Sequence, residues 1–368
     1  MDDRNARGLI HALRLAERGL GRTWPNPAVG CVIMNEGRVV GRGWTQPGGR
    51  PHAETVALGQ AGEAARGATA YVSLEPCAHH GRTPPCADAL VDAGIARVVV
   101  PMEDPDPRVS GRGFEILRSG GVTVDLAPQF AARAVAVNQG FLKRQATGRP
   151  LVELKLAASL DGRIATAGGE SRWITGPEAR AEVHMMRARA DALLIGCGTA
   201  AADDPALDVR LPGLADAAPV RVVADSRLRL PVVGRLAEPG APLWLLHGPA
   251  AREVDMEAWQ KVGAKTLSCE VDEAGRLDLG FALDVLGARG ITRLMCEGGG
   301  QLAATLLRRG LVDRLVMFHA GLTLGATGLA SLADLGISAL KDAPRWTLVE
   351  SRLVGADVMS IWQPAAPA

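Results

Sequence analysis

Aromatic residues are scarce: one tyrosine, five phenylalanines and seven tryptophans make up 4% of 368 residues. A surface that stacks splayed-out bases needs such rings in number, so the scarcity argues against a nucleic-acid-editing protein. Net charge is nearly missing as well. Lysine plus arginine number 41 against 40 for aspartate plus glutamate, a formal +1, and no basic patch stands out that could hold a polyanion. Long apolar runs are lacking too. No stretch approaches the ~18 apolar residues of a membrane span, and charges run through Met1 to Gly19 where a signal peptide would have an apolar core. Cytoplasmic residence, with no membrane and no nucleic-acid partner, is the expectation. The six cysteines (31, 77, 86, 197, 269 and 296) are too dispersed for a disulfide framework and suit metal binding or burial.

What is present is ordinary globular material, 47% hydrophobic and 22% charged, in a chain long enough for two cores. The first segment alternates helical and strand patterns. A helix is predicted over about 4–19, then a hairpin through Asn35-Glu36-Gly37, a helix after Pro51, and strands near 69–74, 97–100 and 122–126 separated by helices near 87–93 and 113–119. Such alternation predicts a three-layer α/β sandwich. The polar stretch Lys143 to Pro150 reads as a linker, giving domains at 1–146 and 150–364. Beyond it come strand patterns at 151–159, 192–195, 220–225, 243–247, 292–296 and 314–319, helical ones at 177–189 and 301–309, and a frayed tail from Gln363. The second domain therefore also reads as α/β.

His52-Ala53-Glu54 opens a predicted helix, and residues two apart on a helix point in different directions, so one can ligate a metal while the other faces a substrate. A strand then leads into Glu75-Pro76-Cys77, and Cys86 starts another helix. His52, Cys77 and Cys86 make a three-ligand zinc set with a fourth position open to water, the arrangement of catalytic zinc. Zinc brings the pKa of such a water towards neutrality, and the unligated Glu54 is the candidate to take its proton and pass it to a leaving amine. His79 or His80 would be the fourth ligand of a structural site; otherwise they line the substrate mouth.

The His-x-Glu and Pro-Cys elements are the signature of the zinc deaminases. Here eight residues, not two, separate Cys77 from Cys86. With Pro25-Asn26-Pro27-Ala28-Val29-Gly30 upstream, this insertion resembles the pyrimidine deaminases of riboflavin synthesis. The resemblance implies a cytidine-deaminase-like fold for the first domain and a role for Asn26 in binding the pyrimidine edge; read alone, Asn26 is a turn residue between two prolines.

In the second half, a strand running through Leu294-Met295-Cys296 and Glu297 into Gly298-Gly299-Gly300 and a helix is compatible with a nucleotide phosphate or with a tight turn alone. Ordered segments at 154–163, 169–175, 199–207, Arg210, 225–226 and 297–299 resemble the reductase half of the riboflavin-pathway family, whose fold is dihydrofolate-reductase-like. The resemblance implies NADPH contacts from Ala157, Trp173, Thr199, Asp203, Ser226 and the segment from Gly299, Gly300 and Gln301 to Thr305. It implies substrate contacts from Ser171, Arg187, Leu207, Arg210 and Glu297. Lys155 would polarise the sugar carbonyl, hold the phosphate, or only cap a strand edge. Asp203 would position the nicotinamide or relay a proton, unless Asp203-Asp204-Pro205 is merely a helix-free turn. Cys197 and Cys296 read as buried thiols.

The expected function is therefore bifunctional: zinc-dependent deamination of a phosphoribosylaminopyrimidine, then NADPH-dependent reduction of its ribosyl group, in a homo-oligomer. The alternatives are a zinc deaminase acting on a nucleoside or nucleic-acid base with an accessory domain, and a non-catalytic zinc protein.

Overall fold

Glu36 and Gly37 both take positive φ, 49° and 82°, which suits a two-residue hairpin turn, so β1 (Gly30–Asn35) folds back on β2 (Arg38–Trp44). In the computed structural model, residues 3–78, 84–104 and 110–366 are described. The chain divides into two units, Met1–Gly148 and Arg149–Ala368. In the first, β1 also pairs antiparallel with β3 (Thr69–Val72), to which β4 (Arg97–Val100) and β5 (Thr123–Leu126) add in parallel, giving the order β2-β1-β3-β4-β5. Among the described residues five α-helices accompany the sheet: α1 (Asp3–Ala16), α2 (Ala53–Ala61), α3 (Cys86–Asp92), α4 (Arg112–Ser119) and α5 (Ala131–Thr147).

Alternating side chains part to opposite faces of this sheet. Val32, Tyr71 and Val99 pack with Leu9, Ala12 and Leu15 of α1. Cys31, Ile33, Ala70, Val72, Val98 and Val100 pack with Ala53 and Ala57 of α2, Leu90 of α3, and Phe114 and Leu117 of α4. The result is the three-layer sandwich that the alternating pattern predicts. Helix α2 lies unusually close to β2, because a Cβ on Gly41 or Gly43 would collide with the carbonyl oxygens of Ala57 and Ala53. Two glycines thus set the depth of the helix that begins beside His52 and carries Glu54.

The second unit is built on a nine-stranded sheet of order β11-β10-β9-β8-β12-β6-β13-β16-β15. Its strands are β6 (Leu151–Ser159), β8 (Ala192–Gly196), β9 (Val220–Ala224), β10 (Leu243–His247), β11 (Lys265–Ser268), β12 (Arg293–Cys296), β13 (Arg314–Ala320), β15 (Trp346–Val354) and β16 (Asp357–Pro364). The strands from β11 to β13 are parallel, and the β15–β16 hairpin closes the edge antiparallel. Helices α6 (Pro177–Ala188), α7 (Cys197–Asp203), α8 (Glu253–Lys261), α9 (Leu279–Ala288) and α10 (Gly300–Arg308) connect them, and β7 (Arg163–Ala165) pairs separately with β14 (Leu329–Ala330). Parallel strands covered on both faces read as near-continuous apolar runs, which is why β6, β8, β9, β10 and β13 stand out in the sequence.

Four expectations are corrected. Lys143 to Thr147 belong to α5 and not to a linker, since the buried side Ala134, Val137, Asn138 and Phe141 carries the helix on until Gly148, at φ 75°, ends it. Gln363 and Pro364 pair with Thr347 and Trp346 and are no frayed tail. Asp203 is the last residue of α7, so Asp203-Asp204-Pro205 is not helix-free. Cys197, at the first position of α7, is only half-buried, whereas Cys296 is buried as expected.

Candidate active sites

Three chain segments bring the predicted metal ligands together. His52 precedes α2 as its N-cap, Cys77 lies in the loop beyond β3, and Cys86 opens α3. His52 Nδ1 stands 3.3 Å from Cys86 Sγ and 3.5 Å from Cys77 Sγ, and the three donor atoms all lie within 4.8 Å of one another. A tetrahedral zinc with Zn–N of about 2.0–2.1 Å and Zn–S of about 2.3 Å would hold nitrogen and sulfur roughly 3.6 Å apart. The donors therefore fit that ion as they stand. The Cys86 backbone N–H donates to Cys77 Sγ at 3.3 Å. The Cys86 thiol, against burial, and then His52 pull the Cys77 thiol below its ordinary range, while the same shared proton and burial push Cys86 up. One sulfur is thus already disposed to be a thiolate, the form that ligates metal.

Glu54 is buried and does not belong to the ligand set. Burial first, and then the charge of Cys77, raise its carboxyl to about 7. At that value the group can both accept and release a proton near neutrality. His52, Glu54 and Cys77 open into a cavity of about 480 Å³, and Asn26 lies on its wall. The Asn26 amide donates to Gly49 O at 3.5 Å, and its backbone turn is held by Thr23. His79 and His80 lie outside the described residues.

The same cavity has walls that sequence reasoning missed, among them Glu75, Asp104, Phe141, Arg144 and Gln145. Glu75 accepts four backbone N–H bonds, from Asp104 and Gly111 at 3.0 and 3.1 Å and from Gly113 and Phe114 at 2.9 and 3.3 Å. Burial raises its carboxyl, and those four donors counter the rise. It therefore ties the start of α4 to the loop that presents Cys77. Its place before Pro76-Cys77 was the available signal. Arg144 and Gln145 carry none when 143–150 reads as a linker, and Phe141 lies just before it in a stretch with no predicted element.

In the second unit, a cavity of about 460 Å³ gathers Lys155, Ala157, Ser171, Trp173, Arg187, Asp203, Leu207 and Arg210. Glu297 follows β12 and is locked to Arg187, whose Nε and Nη2 donate to its two carboxylate oxygens at 2.6 and 3.0 Å; Lys155 Nζ is 3.9 Å away. Burial alone would raise the Glu297 carboxyl, but Arg187 and then Lys155 outweigh it and hold it low. The Arg187 fork is thus engaged with the protein, also reaching Asp208 O at 3.0 Å. Arg210 is exposed and rests against His184 at 3.3 Å. Trp173 is 65% exposed, with the Arg180 guanidinium 4.4 Å from its ring centre.

Thr199, Ser226, Glu297, Gly299, Gly300 and Gln301 do not line that cavity, Glu297 reaching it through Arg187. Thr199 and Gly299 do meet, the Gly299 N–H donating to Thr199 Oγ1 at 3.0 Å. Gly299 is the N-cap of α10, so the glycine turn leads from β12 into a helix, as its sequence pattern predicts. Gly300 has a different reason to be glycine: a Cβ there would press on the backbone of Ala330 and Ala333. Ser226 follows β9, and its carbonyl accepts from Gly248 N at 2.9 Å. The cleft thus gathers Lys155, Ala157 and the open Trp173, while the glycine turn is not among its lining residues.

Comparisons with known proteins follow the same division. Residues 4–102 match the cytidine and deoxycytidylate deaminase zinc-binding region, and residues 150–360 match the RibD C-terminal domain. The chain is 45% identical over 363 residues to riboflavin biosynthesis protein RibD of Escherichia coli (strain K12), covering 95% of this chain and 96% of that one. The corresponding protein of Haemophilus influenzae is 43% identical over 368 residues, with 96% and 95% covered. Among solved structures, Acinetobacter baumannii RibD superposes with a TM-score of 0.87 at 39% identity over 99% of both chains. A diaminohydroxyphosphoribosylaminopyrimidine deaminase/5-amino-6-(5-phosphoribosylamino)uracil reductase from Thermotoga maritima does so with 0.85 at 31%, covering 98% of this chain and 99% of that one. Because the likeness runs through both units over 95% of the chain, and the zinc-binding-region match spans His52, Cys77 and Cys86, the chain belongs to the RibD family.

Proposed function

We propose that the chain is a bifunctional enzyme of riboflavin biosynthesis. It hydrolytically deaminates 2,5-diamino-6-(5-phosphoribosylamino)pyrimidin-4(3H)-one and then reduces the ribosyl group of the product to ribityl with NADPH. Residues 1–146 carry the first reaction and 150–364 the second. The observation that carries this reading is the triad of His52 Nδ1, Cys77 Sγ and Cys86 Sγ within 4.8 Å, with buried Glu54 beside it at one cavity. A rival deaminase of nucleosides or nucleic-acid bases with an accessory binding domain is disfavoured by the reductase-type match over residues 150–360.

In the first reaction His52, Cys77 and Cys86 hold zinc, which when bound supplies the Lewis acidity that lets water lose a proton near neutral pH. Glu54 takes that proton on its carboxylate and delivers it to the departing amino group, so that water enters and ammonia leaves. Asn26 orients the pyrimidine. In the second reaction NADPH supplies hydride, with Ala157, Trp173, Thr199, Asp203, Ser226 and the Gly299-Gly300-Gln301 turn as its contacts. Lys155, Ser171, Arg187, Leu207, Arg210 and Glu297 take the substrate. Because Glu297 behind it already pairs with Arg187, the Arg187 guanidinium is preorganised at the cavity, and Lys155 Nζ is the nearby cation able to face the sugar.

The partner is this small molecule, and the reading includes a cytoplasmic homo-oligomer. Support for self-association comes from edge strand β15, which exposes Leu348, Val349 and Leu353. No helix among the described residues is long and apolar enough to cross a membrane. The test is mass analysis of products from the purified protein with zinc and the diaminopyrimidine phosphate. Without NADPH one amino group should be replaced by oxygen, and with NADPH that product should gain two hydrogens. Unchanged substrate in both reactions would overturn the reading.

A further inference from the structure

The deaminase cavity is rich in acid. Glu54, Glu75 and Asp104 all line it, and apart from the ligand His52 the sole cationic side chain among its described lining residues is Arg144. A substrate bearing a phosphate dianion would enter this surroundings at a steep electrostatic cost unless a fixed positive charge met it. We propose that Arg144 is the residue that holds the substrate's phosphate in the deaminase half and thereby makes that half selective for phosphorylated substrate. The inference rests on the deaminase reading and deepens it.

The placement of Arg144 is built into the fold. Six residues earlier on α5, buried Asn138 accepts from Ala28 N at 2.9 Å and donates to Ala28 O at 3.0 Å. Those bonds clamp the helix to the Pro25-Asn26-Pro27-Ala28 segment that carries the pyrimidine-binding asparagine. Phe141 is buried as cavity wall one turn on, and Arg144 follows three residues later on the same face, since residues three and four apart on a helix are neighbours. Asn26 and Arg144 therefore line one cavity from two segments that Asn138 ties together, as a substrate with both a base and a phosphate requires. An arginine fork suits phosphate because its N–H donors match two phosphate oxygens at once.

The test uses the full-length, zinc-loaded protein and two substrates, the diaminopyrimidine ribosyl phosphate and the same compound without its phosphate. Ammonia release gives kcat/KM for each, and the ratio of the two is the readout. In Arg144→Ala this ratio should fall roughly 10- to 100-fold, the loss expected for one charge-assisted contact. Arg144→Lys, which keeps the charge without the fork, should retain part of the preference. Arg144→Gln carries the same test should the alanine variant fold poorly. A ratio unchanged in these variants, with both substrates slowed alike, overturns the inference and leaves the deaminase standing. Wild-type protein that releases ammonia from neither compound overturns both.

Discussion

Replacing Glu54 by glutamine keeps its shape and removes its proton traffic. Glu54 does not belong to the ligand set, so Glu54→Gln should retain zinc by elemental analysis while ammonia release falls by about 10²- to 10⁴-fold, the range for positioned acid–base catalysis. Turnover near the wild-type rate would remove the assignment. Glu297 makes a different residue-scale case, because glutamine there would take from nearly buried Lys155 and Arg187 the carboxylate they share and leave Arg187 only Asp208 at 4.0 Å. Breaking such a pair costs about 3 kcal/mol, read as a lowered midpoint in thermal or urea unfolding of the second unit. The pH dependence follows from the lowered carboxyl. Its stabilisation is present above the unfolded value of about 4.3 and is lost as pH falls through the lower folded value. The gap between wild type and Glu297→Gln should accordingly be full at neutral pH and close in acid; a gap that widens on acidification would contradict the pairing. Metal ligands and Glu54 were legible in the sequence because the chemistry dictates residue type and spacing. Glu75 and Arg144 were not, since a carboxylate that caps backbone N–H groups and an arginine on a helix look like any other charged residues until the fold assembles the cavity around them.

Elements carry the site as much as side chains do. Helix α2 can seat His52 and Glu54 only because Gly41 and Gly43 let it lie against β2, so Gly43→Ala should push the helix outward. Overpacking of this kind costs about 1–3 kcal/mol, and the displaced ligand should show as lower zinc occupancy at limiting metal. Normal occupancy and unfolding midpoint would mean that the helix position tolerates the methyl group. Strong periodicity made most elements legible: β4, β6 and β10 occur where the apolar runs predict them, and α6 and α10 shift by a residue or so. The later turns of α5 escaped because their exposed residues Gln145, Ala146 and Thr147, with Gly148 and Pro150 beyond, have the composition of a linker, and only burial of Val137 and Phe141 distinguishes them. The β15–β16 hairpin escaped for a related reason. Residues 347–353 of β15 are all exposed, so no alternation of buried and exposed positions marks it, and its pairing with β16 is what makes it a strand.

At the scale of the whole chain there are two units, and among the described residues the candidate metal-ligand group lies in the first. Length and ordinary globular composition already imply two globular domains, but which residues of the second unit form one cleft is a matter of three-dimensional assembly. Lys155, Ser171 and Arg210 lie on three different segments and say nothing of one another in sequence. The separation has a measurable consequence. Chelation of zinc should abolish ammonia release from the diaminopyrimidine phosphate while NADPH oxidation by the already deaminated uracil phosphate continues at an undiminished rate. Restoring zinc should recover the first activity alone. Because a ligand that binds only the folded state stabilises what it binds, zinc should also raise the unfolding temperature of the first unit's transition and leave that of the second where it was. Loss of both activities on chelation, or a single transition shifted as a whole, would show that the metal's influence extends beyond the unit that holds it, and the division of labour drawn from residues 52–86 and 155–297 would have to be abandoned.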